Sequence, residues 1–163
     1  MRILAEQVGA TLKAHGMMLV TAESCTGGGV AQAVTDIAGS SDWFERGFVT
    51  YTNLSKVEML GVRQSTLDAF GAVSEMTARE MVAGALAHSR AHIALAVSGI
   101  AGPGGGTPDK PVGTVWFAWA VSHGEVVAQH HQLAGDRASV RSQSIQISLQ
   151  GVLNLLNNIS KTA

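Results

Sequence analysis

The sequence predicts an α/β protein, a single-domain three-layer α/β/α arrangement with a mixed sheet. Three observations predict it. A strand, a glycine turn and a helix follow one another directly between residues 18 and 38, the unit from which such folds are built. Segments of helical and strand periodicity then alternate as far as residue 97. Two β-rich runs, 112–122 and 126–133, stand next to each other before one long helix. Strands joined by a short turn pair antiparallel, whereas strands joined through helices pair parallel, so the sheet is mixed.

The elements follow in order. Ile3, Leu4, Val8, Leu12 and His15 recur at helical spacing, and Gly16 is the stop signal. Residues 18–22 form a short apolar strand, and Glu23 to Gly29 a turn. Val30, Val34 and Ile37 share one helical face up to Gly39. Residues 47–52 alternate as a second strand, with Tyr51 at its end, and Asn53 caps a short helix over 54–60 closed by Gly61. Ser74, with Glu75 and Thr77 behind it, opens a helix to about Arg90. Residues 93–97 read as a buried strand and 99–113 as a glycine- and proline-rich loop. The two β-rich runs meet at His123-Gly124 as a hairpin. Asp136 opens the last helix, through Val140, Ile147, Leu149 and Leu153 to about Leu156. No repeat, linker or low-complexity tract interrupts the chain, so residues 1–163 are expected to form one domain.

Length and composition narrow the function. A chain of 163 residues buries roughly 70% of its unfolded surface and needs no staples. Apolar residues make up 46% and the formal net charge is −1, which excludes disorder and gives no basic footprint for nucleic acid. One or two arginines could still hold a single phosphate. Cys25 is the only cysteine, so no intrachain disulfide forms, as suits a reducing compartment. The N-terminus lacks the apolar core of a signal peptide. The most apolar run, 112–122, is too short to span a bilayer. The expected location is the cytoplasm, with no membrane partner.

Chemistry concentrates at three places. The first is Ser24, where the first strand gives way to a helix; ligands of α/β sheets bind beyond the carboxyl ends of strands. N–H groups of Thr26, Gly27 and Gly28 at a helix start can hold an anion or an oxyanion. Position alone leaves Ser24 open between nucleophile and simple helix cap, and Cys25 competes with it. The second place surrounds Lys56, a few residues beyond the second strand and Tyr51. Lys13 lies on an amphipathic helix and Lys161 near the terminus, positions suited to solvated ammonium groups. A lysine becomes a base only when burial lowers its pKa from about 10.4 towards 7, at a cost of about 4 to 5 kcal/mol. From position alone Lys56 fits a surface residue on a short helix better than a base.

The third place is the run Ser98-Gly99-Ile100-Ala101-Gly102-Pro103-Gly104-Gly105-Gly106-Thr107. Such a loop can wrap a ligand with backbone N–H groups. It is neither a phosphate-binding loop with a following Lys-Ser or Lys-Thr nor a dinucleotide fingerprint, because Pro108, Pro111 and a strand follow. Arg137 and Arg141 share a face of the last helix. Arg137 sits at a positive dipole end, a place for a cation if an anion joins it there; pairing with Asp136 or with solvent is the alternative. His130 and His131 point to opposite faces of a strand, and His88 and His92 straddle a helix end, so no metal site is assigned.

Four ordered segments resemble the nicotinamide-nucleotide amidohydrolase family, also called the CinA C-terminal domain family. They are Thr21-Ala22-Glu23-Ser24-Cys25-Thr26-Gly27-Gly28, Gly47 to Asn53 with Lys56, Ser98 to Gly105 with Lys110 to Val115, and Gly135-Asp136-Arg137 with Arg141. Together they cover nearly the whole chain. The resemblance implies an α/β/α fold, a homodimer or higher homo-oligomer, and no metal or organic cofactor. It implies hydrolysis of the carboxamide of nicotinamide mononucleotide (NMN) to nicotinate mononucleotide and ammonia. It implies a serine–lysine mechanism assisted by a tyrosine, carried here by Ser24, Lys56 and Tyr51. Its motifs make Thr26, Gly27, Gly28, Asn53, Ser98, Gly102, Gly104, Gly105, Arg137 and Arg141 the substrate-binding candidates. Gly29 as a third glycine and Leu54-Ser55 before the lysine depart from the pattern without touching a catalytic position. Three other readings stand beside it: a cysteine hydrolase using Cys25, a catalytically silent nucleotide- or partner-binding module, and a DNA-processing protein, which the net charge disfavours.

Overall fold

The computed structural model describes residues 1–162, with side chains as far as Ile159; Lys161, read above as solvated, lies outside the described side chains. Five strands form one sheet: β1 (Leu19–Glu23), β2 (Phe44–Val49), β3 (Ile93–Gly99), β4 (Thr114–Val121) and β5 (Val126–Gln132). Their order is β2-β1-β3-β4-β5. β1 is parallel to both neighbours, while β4 and β5 run antiparallel. The mixed sheet thus follows from connectivity: helices join the first three strands and a tight turn joins the last two.

Helices α1 (Arg2–His15), α2 (Gly29–Thr35) and α6 (Arg137–Thr162) cover one face; α3 (Asn53–Leu60), α4 (Gln64–Phe70) and α5 (Glu75–Ala87) cover the other. Strand alternation divides the core between them. Leu19, Ile93, Leu95, Val97, Val115, Phe117 and Trp119 pack with Leu12, Val34, Val140 and Leu149 on the first face. Val20, Ala22, Ala94, Ala96, Ala118 and Ala120 pack with Leu60, Met81 and Val82 on the second. The small side chains on this second face let α5 approach closely. β1 and β3, central and flanked on both sides, are buried almost throughout, as continuous apolar strands should be.

Two expectations need correction. The second strand runs from Phe44 to Val49 rather than over 47–52, because residues 50–52 turn away from the sheet to start α3. Tyr51 therefore lies beyond the strand and is exposed. Helix α4 is an element the sequence pattern does not predict. Its Gln64-Ser65-Thr66 start is polar, no side chain caps it, and only Thr66 and Leu67 are buried. Among the described residues, no helix is long and apolar enough to cross a membrane.

Candidate active site

The site lies beyond the carboxyl ends of β1 and β3. β1 delivers Ser24 through two parallel neighbours: the Ser24 N–H donates to Val97 O at 3.0 Å, extending the β1–β3 ladder by one residue. Ser24 is buried, with 7% of its surface exposed. The chain then turns through Gly27 and Gly28, whose φ angles of 58° and 98° belong to the left-handed region that side chains resist.

Lys56 arrives from the opposite direction. Thr50, just past β2, donates its N–H to Glu23 O at 2.8 Å. Thr52 then caps α3 in a reciprocal box: its Oγ1 accepts from Ser55 N at 3.1 Å, and Ser55 Oγ accepts from Thr52 N at 3.0 Å. Asn53, expected to be the cap, is instead the first helical residue. Lys56 therefore lies one turn into α3, only 1% exposed. Its Nζ is 2.9 Å from Ser24 Oγ and donates to Thr50 O at 2.8 Å.

Burial holds the Lys56 amine at about pKa 8 instead of 10.5, because a charged ammonium loses solvation in the pocket wall. In the charged form Nζ donates to both partners. In the neutral form one N–H keeps Thr50 O, and the lone pair turns to accept the Ser24 hydroxyl proton. A neutral fraction of roughly a tenth at pH 7 follows from a pKa near 8. Cys25, one residue on, behaves differently. Burial first, and then the negative charge of Glu23, push its thiol up to about 11, so it is not a thiolate at neutral pH.

Above the pair opens a cavity of about 290 Å³. Ser24, Cys25 and Lys56 form its floor; Tyr51, Asn53, Ala72, Val73, Ser98 to Gly102, Gly104, Gly105 and Arg137 form the walls. The glycine loop is anchored rather than loose: Ile100 N donates to Thr114 O at 2.9 Å, and Lys110 Nζ to Phe70 O at 2.6 Å. Ser98 Oγ pins the facing wall by donating to Ala72 O at 2.9 Å. At the rim, Arg137 donates to Gly102 O at 2.9 Å and to the Tyr51 hydroxyl at 3.0 Å. The arrangement combines a buried serine, an amine of lowered pKa in contact with it, and an exposed guanidinium on the rim, which suits nucleophilic attack on a small anionic substrate.

A profile of the CinA C-terminal domain family matches residues 1–156. The chain belongs to this family. It is 57% identical over 147 residues to the nicotinamide-nucleotide amidohydrolase PncC of Escherichia coli strain K12, covering 90% of this chain and 89% of that protein. It is 49% identical over 152 residues to the protein of the same name from Pseudomonas putida, covering 93% and 94%. Among solved structures it is similar to the competence/damage inducible protein CihA of Agrobacterium tumefaciens, with a TM-score of 0.92 at 47% identity over 96% of this chain and 94% of that one.

Within this CinA domain, the expected site residues fall into two groups. Ser24, Lys56, Tyr51, Asn53, Ser98, Gly102, Gly104, Gly105 and Arg137 share the cavity. Thr26, Gly27, Gly28 and Arg141 do not line it. The Thr26 hydroxyl donates to Glu23, and the Gly27 N–H closes a turn on Ser24 O at 3.0 Å. Neither that hydroxyl nor that N–H remains for a ligand. Gly28 is the N-cap of α2. Arg141 donates to the carbonyls of Cys25 at 3.1 Å and Thr26 at 3.2 Å, so it braces the serine turn from behind. Tyr51 does not bridge lysine and serine, because these touch directly and its hydroxyl accepts from Arg137.

Sequence reasoning missed Glu23, Thr50, Ala72 and Val73. A glutamate closing an otherwise apolar strand was the available signal for the first. Thr50 acts through its main chain, and the two small apolar residues carry no signal of their own.

Proposed function

We propose that this chain hydrolyses the carboxamide of nicotinamide mononucleotide, giving nicotinate mononucleotide and ammonia. The single observation that carries the mechanism is the 2.9 Å contact between Lys56 Nζ and Ser24 Oγ. The names of the close relatives support the substrate.

Neutral Lys56 takes the Ser24 proton directly while Oγ attacks the carboxamide carbon. The carbonyl oxygen becomes an oxyanion beside the N–H group of Cys25, the residue after the nucleophile, which lines the cavity; a good donor contributes about 3 to 4 kcal/mol. The Gly27 N–H takes no part, since Ser24 O holds it. Protonated Lys56 then donates to the departing nitrogen, and ammonia leaves an ester on Ser24. Water attacks that ester with Lys56 again accepting a proton, and the collapse returns Ser24 Oγ to the hydroxyl state. Throughout, Thr50 O keeps one amine hydrogen and so aims the lone pair. Arg137 faces the substrate phosphate at the rim, with Tyr51 orienting its guanidinium. Self-association, implied by the resemblance, belongs to the same proposal and is read by sedimentation.

The test is ammonia release from NMN, with Ser24→Ala in parallel and free nicotinamide as a second substrate. Turnover of NMN that vanishes in Ser24→Ala, with none on nicotinamide, is the expected result. A folded wild-type protein that releases no ammonia overturns the reaction and favours a binding module.

A further inference from the structure

Glu23 ends β1 with none of its surface exposed, and none of the ion pairs among the described residues includes it. A carboxylate buried without a cation is costly unless hydrogen bonds replace water. Three donors do so here: the Thr26 hydroxyl at 2.5 Å, Val30 N at 2.8 Å and Ala31 N at 3.1 Å.

We propose that Glu23 is a positioning residue for the Ser24–Lys56 pair, a carboxylate kept inside the fold to lock the turn that carries Ser24. The inference rests on the reading of Ser24 as nucleophile. Three features carry it. The turn it spans contains two glycines in the left-handed region, and α2 has no side-chain cap at Gly28; Arg141 holds the Cys25 and Thr26 carbonyls from behind, and Glu23 is the side chain that takes up the Thr26 hydroxyl and the N–H groups of Val30 and Ala31. Glu23 closes the turn on itself by joining the strand end to residues 26, 30 and 31. Its main chain serves the other half of the pair: Glu23 O accepts from Thr50 N at 2.8 Å, and Thr50 O accepts from Lys56 Nζ at 2.8 Å. Both reacting groups therefore hang from one residue, Ser24 through the side chain and Lys56 through the carbonyl. The chemistry of the socket also selects an acid. All three partners are donors, so an amide nitrogen placed there meets an N–H or O–H and loses a bond.

The test uses Glu23→Gln and Thr26→Val, the second removing one donor while leaving the charge. Steady-state kinetics on NMN are combined with the rate at which phenylmethylsulfonyl fluoride modifies Ser24, located by mass spectrometry, and with circular dichroism. Because a displacement of about 1 Å at reacting groups costs on the order of a hundredfold, Glu23→Gln is expected to lower kcat and Ser24 modification by roughly 30- to 100-fold. KM should stay within about threefold, and Thr26→Val should give a weaker loss of the same kind. Folded variants that keep wild-type kcat and wild-type Ser24 modification overturn the proposal, as does a fall in kcat with Ser24 modification unchanged. If Glu23→Gln does not fold, Thr26→Val decides by the same two readouts. A wild-type protein that neither turns over nor reacts at Ser24 overturns the serine reaction itself, and the positioning role with it.

Discussion

Gly84 of α5 faces the Leu60 carbonyl so closely that a methyl group on it would overlap the oxygen and its carbon. Leu60 is the last residue of α3, and Lys56 lies one turn earlier on the same helix. Gly84→Ala must therefore push α3 away, since backbone cannot rotate aside as a flexible side chain can. The expected loss is about 1 to 3 kcal/mol of stability, together with a lower kcat because the lysine moves with its helix. Thermal unfolding and steady-state kinetics on the same preparation check both.

As the proposed base, Lys56 should set the pH dependence. Since burial places Lys56 near pKa 8 and only the neutral amine accepts a proton, kcat/KM should rise about tenfold per pH unit below 8 and level off above it. Lys56→Met should lower kcat by at least about a hundredfold. Stability carries the same signature. Between pH 8 and 10.5 the unfolded chain holds a proton that the folded lysine has released. Burial of the charge therefore penalises the fold fully below pH 8, and stability recovers as pH rises through that window. The recovery amounts to roughly 3 kcal/mol. It should be missing from the denaturation profile of Lys56→Met; equal pH slopes in the two proteins would sink the assignment.

Cys25 should be inert. Its thiol is raised from 9.0 to about 11, which lowers the thiolate fraction at pH 7 about a hundredfold. Iodoacetamide should alkylate the native protein at least that much more slowly than the unfolded one, and activity should survive the incubation. Fast native alkylation with parallel inactivation would revive the cysteine reading.

Tyr51 and Arg137 should act as one unit. Arg137→Ala is expected to raise KM more than it lowers kcat, as the loss of a ground-state contact does. Tyr51→Phe removes only the hydroxyl that accepts from Arg137, so it should shift KM in the same direction by less. In the double variant the two effects should not add. A collapse of kcat in Tyr51→Phe with KM unchanged would restore the tyrosine to the proton path.

The sequence made most of the architecture legible because periodicity and punctuation agree in the core elements. β1 and β3 are short runs rich in apolar residues and buried almost throughout, Gly16 and Gly61 end their helices in left-handed caps, and Asp136 accepts from Ser139 N at the start of α6. β2 was misplaced because it is an edge strand whose Phe44-Glu45-Arg46 start lacks alternation. α4 escaped because its burial rests on two residues. For the candidate site, residue type and the resemblance singled out Ser24 and Lys56, and the fold brings them within 2.9 Å of each other. It failed where the working group is main chain. The Thr50 carbonyl and the Gly27 N–H have no letter in the sequence, and Arg141 looked like Arg137 until its partners proved to be carbonyls behind the turn.

The serine and the lysine are 32 positions apart, whereas Tyr51 and Arg137 are 86 apart. Contacts between near neighbours along a chain close early, and those between distant segments wait for loops to be brought together. The Ser24–Lys56 pair can thus assemble from one half-sheet, while the Tyr51–Arg137 rim, proposed to face the substrate phosphate, exists only once the final helix has docked. On the proposed reading, exchanging the glycine loop and Arg137 while keeping Arg141 behind the serine turn should retune what the pocket accepts and leave the Ser24–Lys56 floor in place.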